Sequence, residues 1–306
     1  MTQYIVKRLL QTALVIIGVT ALSFNLMFLS GDPAILMAGE DWTQEQLDEF
    51  RHTMGFDRPV LVQYLDFLQG AVRGDFGMSL RQKQPTFQLV MDRMPATIEL
   101  TVAAMLIALV IGLPVGIFAA IHRNTIWDGT VMAFALLGQS MPVFWLGLLL
   151  AMIFGVRLGW FPIAGRGTPA HLVLPALSLG LFVMAYQARL IRSSMLDVLG
   201  QDYIRTAQAK GLHRNVVLVR HALKNALVPV VTALGMQFGA LLSGAVITES
   251  IFAWPGVGRL TLQAIYAKDL PLVQTSVTIT ATLFVLINLA VDLLYVYLDP
   301  RIRLAK

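Results

Sequence analysis

The side chains best suited to binding or chemistry lie in the longest polar stretch of the second half of the chain, residues 195–231. The stretch predicts two short helices joined at Gly211, since glycine readily takes the left-handed conformation that ends a helix. Asp202 is predicted as the N-cap of the first helix because its carboxylate can accept from free backbone N–H groups. Lys210 is placed in the last turn, where the helix dipole favours a cation. The second helix is predicted over about 214–225.

Two interpretations of this polar stretch follow from its chemistry. A basic loop beside a membrane commonly rests on anionic headgroups. A short, capped helix with small side chains at Thr206, Ala207 and Ala209 is also suited to seat closely in a groove of another protein. A headgroup loop needs the charge but neither the caps nor the small face, and the residues alone leave both interpretations open.

Motifs for covalent chemistry are missing from the sequence. There is no GxxxxGK[ST] phosphate loop, no GxSxG motif and no cysteine. The five histidines are scattered without a metal-ligand spacing such as HExxH; they are His52, His122, His171, His213 and His221. We therefore expect no catalytic residues, no metal site and no bound cofactor on this chain.

The composition predicts an integral membrane protein. The chain has 306 residues, of which 57% are hydrophobic and only 13% charged, and its mean hydropathy is +0.70, whereas soluble domains carry about 25% charged residues. The net charge of +5 does not indicate nucleic acid, because the basic residues concentrate at the predicted cytoplasmic ends of spans.

Apolar runs of about 20 residues, the length that crosses a bilayer, predict six transmembrane helices. Their ranges are about 9–29, 97–121, 129–154, 171–191, 227–247 and 273–297. The distribution of Lys and Arg places both termini in the cytoplasm. The predicted organisation is therefore an N-terminal span in residues 1–29, an external segment over 30–95, and a core of five spans over 96–306 that contains the polar segment 195–225.

The segment over 30–95 predicts two short helices, one over about 43–54 with Thr43 as N-cap and one over about 59–72, with turns at Gly70, Gly74 and Gly77. Docking of an external partner and simple shielding of the span ends both remain open for it.

Several polar residues fall inside the predicted spans. Gln139 and Ser140 precede Pro142, which is expected to kink its helix, and Tyr186 and Gln187 lie in the fourth span. These four are candidates to line a water-filled path, with helix-to-helix hydrogen bonds as the alternative. Three acidic or amide side chains are assigned structural positions: Glu99 is expected to reach water at an outer end, while Asn288 and Asp292, four apart on one helix face, are expected to join neighbouring helices.

The run DYIRTAQAKGL (202–212), followed by RHALKNALVPVV (220–231), resembles the cytoplasmic segment of permeases in the dipeptide, oligopeptide and nickel branch of binding-protein-dependent ABC importers. The wider family has Glu-Ala-Ala, then a glycine four positions later and a Leu-Pro pair. Here Arg205 and Thr206 replace the Glu and the first Ala, and Lys224 replaces the proline. Further matching motifs are GDP (31–33), GDFG (74–77), TESIFAWPGVGRL (248–260) and NLAVDLLY (288–295) with DPRIR (299–303). The substitutions favour the subunit-B type of this branch.

This resemblance implies a type I importer permease fold in a bacterial inner membrane, in contact with lipid. It implies assembly with a second homologous permease, two cytoplasmic ATPases that bind ATP and Mg²⁺, and an external solute-binding protein. The residues that it implies for coupling to the ATPases are Asp202, Tyr203, Arg205, Thr206, Ala207, Lys210, Gly211 and Leu212. Di- or oligopeptides are the first expectation for the cargo, with glutathione, nickel chelates, opines and sugars as others.

Two other functions fit the sequence less well. An ion-coupled carrier usually has ionisable residues at mid-membrane and paired interrupted spans, whereas here such residues fall near span ends and no internal repeat is evident. A membrane scaffold without transport leaves the capped coupling helix unexplained.

Overall fold

The structure is a computed structural model that describes residues 2–29, 31–37 and 42–298. Within these ranges the chain is almost entirely helical, with a single isolated bridge between Met78 and Pro85. The helices are α1 Thr2–Leu29, α2 Pro33–Met37, α3 Gln44–Met54, α4 Val60–Val72, α5 Thr86–Ile121, α6 Ile126–Ser140, α7 Val143–Leu150, α8 Pro169–Leu199, α9 Asp202–Ala209, α10 Arg214–Val216, α11 Lys224–Gly244, α12 Val246–Ile251, α13 Val257–Tyr266 and α14 Leu270–Leu298. Two π-helical segments, Ala151–Arg157 and Val217–Leu223, follow α7 and α10.

Five helical runs are long and apolar enough to cross a membrane. They are Ile5–Asn25, Thr86–Ile121, Pro169–Leu199, Arg214–Leu242 and Leu270–Leu294. The pair formed by α6 and α7 with its π-helical extension makes a sixth if it counts as one span. The all-α, multi-span fold class is confirmed. The cytoplasmic position of the termini stays a prediction, and the C-terminal motif over 299–303 lies outside the described residues.

The predicted third span, one kinked helix over 129–154, was wrong in its geometry. The helix runs on either side of Met141 and Pro142 meet at 98°. Proline has no N–H to continue a helix, and it disfavours the α conformation in the residue before it. Met141 accordingly has extended angles, φ −83° and ψ 132°, so the chain turns sharply instead of bending gently.

The separate second helix predicted over 214–225 was also wrong. Helical structure continues from Arg214 through the π-helical segment into α11, and the whole run is one candidate span. No glycine or proline occurs between Arg214 and Val228, so nothing ends the helix there.

The described chain divides into two compact units. The first contains residues 98–254 and 287–298, and the second contains residues 2–97 and 255–286. In the first unit α8 is the most deeply packed helix. Its backbone approaches α5 so closely that a Cβ on Gly116 would lie 2.6 Å from the carbonyl oxygen of Ala188, and one on Gly180 would lie 2.8 Å from that of Ala104. Small residues permit such close packing between membrane helices.

The second unit contains the segment between α1 and α5. Thr43 forms the predicted N-cap of α3, with Gln46 completing a capping box. Gly74 and Gly77 have positive φ angles, as their predicted turns require, whereas Gly70 lies inside α4, so the turn predicted there was wrong. The buried carboxylate of Asp269 accepts hydrogen bonds from the Ser79 hydroxyl and from the backbone N–H groups of the two residues that follow Ser79.

Candidate functional site

The predicted coupling segment, residues 195–225, lies wholly within the first unit. Its helix α9 begins at Asp202, so Gln201 is the N-cap residue and the predicted N-cap role of Asp202 was wrong by one position. Asp202 still places a negative charge in the first turn, where the helix dipole favours it. Lys210 is the C-cap residue, and the predicted left-handed conformation of Gly211 is confirmed by its φ of +77°.

Two apolar side chains fix α9 to the rest of the unit. Ile204 and Ala207 are 1% and 6% exposed, and they pack in one cluster with Met195, Val217 and Ala222. Positions three apart share a helix face, so this face is turned to the chain's own helices. A hydrogen bond of 2.8 Å from Asn225 Nδ2 to the Tyr203 hydroxyl adds a polar tie to α11.

The remaining predicted coupling residues are exposed. They are Asp202, Tyr203, Arg205, Thr206, Lys210, Gly211 and Leu212. Within the described residues Arg205 forms only a long, exposed ion pair with Asp202 at 3.6 Å. Ala207 is the exception among the predicted residues: it is buried against its own chain, a placement that the sequence interpretation of a small docking face did not anticipate. The open surface of α9 is therefore polar, and the opposite face of the helix is packed against the chain's own helices.

The four candidate path residues have different surroundings. The Gln139 amide oxygen accepts a 2.5 Å hydrogen bond from Arg189 Nη2. Ser140 is exposed and its hydroxyl donates to the backbone oxygen of Leu136 at 3.0 Å, and Tyr186 is 37% exposed. Gln187, by contrast, is fully buried beside Gly112 of α5, so it faces a helix interface and not an open surface. Among the described residues neither of its amide atoms has a hydrogen-bond partner.

Three ion contacts in this unit were not predicted. Arg192 of α8 pairs with the buried Asp128 of α6 at 2.6 Å. Glu99, expected to reach water, is 39% exposed and pairs with Arg166 at 2.6 Å. The Arg166 guanidinium also lies 5.9 Å from the ring centre of Trp254. The two ion pairs join residues separated by 64 and 67 positions in the sequence, so no local spacing of residues predicts them. Only the opposite charges at predicted span ends could have suggested these pairs.

Residues 112–304 match the family described as "Binding-protein-dependent transport system inner membrane component", and residues 1–101 match its N-terminal counterpart. The chain belongs to this family. It is therefore a permease, a multi-pass protein of the bacterial inner membrane, and membership decides for the importer permease over the ion-coupled carrier.

Curated relatives resemble the permease over its full length. It is 41% identical over 339 residues to the dipeptide transport system permease protein DppB of Escherichia coli (strain K12), with 100% of both chains covered. It is 41% identical to the di/tripeptide permease protein DppB of Pseudomonas aeruginosa (strain UCBPP-PA14), with 99% of each chain covered. It is 40% identical to the glutathione transport system permease protein GsiC of Escherichia coli (strain K12), again with 99% of each chain covered.

A solved structure supports the fold. The permease matches a chain of the inward-facing MetNI methionine ABC transporter with a TM-score of 0.59 and 21% identity, covering 69% of the permease and 97% of that chain. The likeness supports the type I importer permease fold that the sequence resemblance implied.

Proposed function

We propose that this permease is a translocation subunit of an ATP-driven importer for di- or oligopeptides or similar small solutes. The observation that carries the coupling role is the arrangement of α9. Its apolar face is buried against the permease's own helices through Ile204 and Ala207, and its polar face, including Arg205 and Thr206, is open. A partner that moves against the open face would move the helices that hold the buried one.

The partners in this proposal are a second homologous permease, two cytoplasmic ATPases and an external solute-binding protein. ATP and Mg²⁺ would bind to the ATPases, and this chain would carry no ATPase site of its own. ATP binding would close the ATPases, and α9 would transmit that motion to α8 and to the helical run that starts at Arg214. Family membership and the relatives' names support this composition.

The proposal of a peptide cargo rests on the relatives. Those named above are dipeptide, di/tripeptide and glutathione permeases, and all of these solutes are short peptides. The binding protein is expected to set most of the selectivity. Uptake of a radiolabelled dipeptide into vesicles that hold the complete importer tests this, with glutathione as the comparison; uptake of neither solute, with intact ATP hydrolysis, would contradict a peptide cargo.

Two single-cysteine variants test the coupling surface, and they start from a clean background because the natural chain has no cysteine. In membranes with the complete complex, Thr206→Cys is expected to crosslink to an ATPase subunit. Ala207→Cys, the adjacent buried position, is the matched control and should react far more slowly. Equal crosslinking of both positions would contradict the orientation of α9, and purification of the tagged permease without any ATPase would contradict the proposed function itself.

A further inference from the structure

Arg189 is a cation without an acidic partner in the described part of the chain. It is exposed, and its one hydrogen bond there goes from Nη2 to Gln139 Oε1. Arg192, one turn further along α8, is by contrast held by both carboxylate oxygens of Asp128. Since a guanidinium has five N–H donors, most of the donors of Arg189 stay available.

The direction of the Arg189 side chain follows from the register of α6 against α8. Asp128 lies opposite Arg192, and Gly138 lies opposite Leu181, where an added Cβ would come within 3.2 Å of the carbonyl oxygen. Gln139 is therefore about 16 Å along α6 from the Asp128 pair, whereas Arg189 is about 4.5 Å from it along α8. To meet Gln139 the guanidinium reaches away from the Asp128–Arg192 end and back towards the bend at Met141.

This direction does not suit a lipid headgroup contact. An arginine that snorkels extends towards the end of its span, where the phosphates lie. Arg189 extends into the span instead, towards the partly buried Gln139 and the exposed Ser140, and on the helix side that also carries Tyr186, which is 37% exposed. An exposed guanidinium at that depth is costly in hydrocarbon, so water or protein must surround it.

We propose that Arg189, held in place by Gln139, is a contact point for the carboxylate of a solute in the translocation path. The inference rests on the proposed function, which supplies a cargo with a C-terminal carboxylate. A guanidinium binds a carboxylate through paired N–H donors, and Gln139 is neutral, so it orients the group without neutralising it. One partly hydrated contact is weak, which suits a path that a solute must also leave.

The test uses a single cysteine and does not depend on transport. Ser140→Cys is introduced into the complete importer, with cysteine-free partner subunits, in lipid nanodiscs. Its reaction rates with an anionic reagent, methanethiosulfonate ethylsulfonate, and a cationic one, methanethiosulfonate ethyltrimethylammonium, are compared. A nearby guanidinium favours the anionic reagent, so Arg189→Gln should lower the ratio of the two rates about tenfold. Gln139→Leu should lower the ratio less.

Arg157→Gln is the matched control for loss of an exposed arginine in the same unit, and it should leave the ratio unchanged. A millimolar dipeptide added without binding protein or ATP should slow the anionic reagent, and the same dipeptide with an amidated C-terminus should not. Protection by both dipeptides alike would overturn carboxylate recognition.

Other outcomes identify other failures. A Ser140→Cys variant that reacts with neither reagent would show that the polar pair is enclosed by protein, and a ratio insensitive to Arg189→Gln would show that the guanidinium does not face the path. If Arg189→Gln prevents the second permease from co-purifying with this one, an acidic residue of the second permease is the true partner of Arg189. Each result would overturn this inference and leave the importer assignment standing, whereas absent ATPases would remove the assignment first.

Discussion

Arg192 donates two hydrogen bonds of 2.6 Å, from Nε and Nη2, to the two carboxylate oxygens of Asp128. The pair joins the first turn of α6 to α8, and the Asp128 carboxylate also accepts the backbone N–H of Asn124 at 3.2 Å. Asp128 is 4% exposed, so its charge depends on these donors. The pair therefore helps to set the register in which the Arg189 side chain reaches Gln139.

Loss of the Asp128 charge should destabilise the permease. Asp128→Asn leaves a guanidinium without its carboxylate and puts an amide where only acceptors are wanted. Breaking a fully buried pair costs about 3–5 kcal/mol, and this pair should cost somewhat less because the Arg192 side chain is 29% exposed. The prediction is a clear fall in the thermal unfolding temperature of the purified complex in detergent. Glu99→Gln is the control, because its pair with Arg166 is about two-fifths exposed on both sides and should contribute less than about 1 kcal/mol. Equal shifts for both variants would contradict this account.

Replacement of Gln187 by an apolar residue should stabilise the permease, in contrast to the loss of the Asp128 charge. Its side chain is fully buried, and among the described residues its amide nitrogen and oxygen find no partner. Burying an amide without hydrogen bonds costs about 1–3 kcal/mol. Gln187→Met keeps the length and removes the polar atoms, so the unfolding temperature should rise. Gln208→Met, at an exposed position, should leave it unchanged, and a lower unfolding temperature for Gln187→Met would show that the amide has partners in the assembled importer.

Local chemistry predicted much of the fold. Thr43 as an N-cap, Gly211 as a left-handed terminator and the apolar runs all depend on residues within one or two helical turns. The apolar spacing of Ile204 and Ala207 also held the signal for the buried face of α9, although the small-residue interpretation passed over it.

The features that sequence reasoning missed depend on long-range packing or on how far the chain turns where a helix is interrupted. The Asp128–Arg192 pair joins residues 64 positions apart, and no spacing rule connects them. Pro142 was recognised as a helix breaker, but how far a broken helix turns depends on what packs on either side. The same holds for Gln139: its candidate role in a path was evident from its type, whereas its bond to Arg189 required the register of two helices.

The left-handed conformation of Gly211 should matter for coupling. Its φ is +77° and no atom would crowd a Cβ there, so a substitution acts through backbone strain of about 1–2 kcal/mol and not through a clash. Gly211→Ala should shift the end of α9 and lower dipeptide transport per ATP hydrolysed. Gly200→Ala is the matched control, because Gly200 has an ordinary φ of −78° and only van der Waals contacts at 3.7 Å. Unchanged coupling in Gly211→Ala would count against a transmitting role for this end of α9.

The segment between α1 and α5 contains an acid-sensitive ion pair. Arg51 of α3 binds the Asp32 carboxylate through Nε at 3.0 Å, and the backbone N–H of Ala34 donates to the same carboxylate at 2.9 Å. Burial alone would raise the pKa of Asp32, but the hydrogen bonds from Arg51 and Ala34, together with the charge of Arg51, hold it below its usual value. Folding therefore favours the ionised form.

This shift fixes the direction of the pH dependence. Because the pKa is lower in the folded state than the unfolded value of about 3.9, the stabilisation is fully present above that value and is lost as the pH falls through the folded pKa. Acid titration from pH 6 to 2 should therefore loosen α3. The change can be followed by Trp42 fluorescence, because the Trp42 ring packs edge-on against Phe50 with 5.2 Å between ring centres. Subtracting the signal of a Trp42→Phe sample isolates the contribution of Trp42. Asp32→Asn should show the loosened signal already at pH 6, whereas Glu45→Gln, which removes an exposed charge from the same helix, should follow the natural protein. An acid transition in Asp32→Asn as large as that of the natural protein would show that other carboxylates control it.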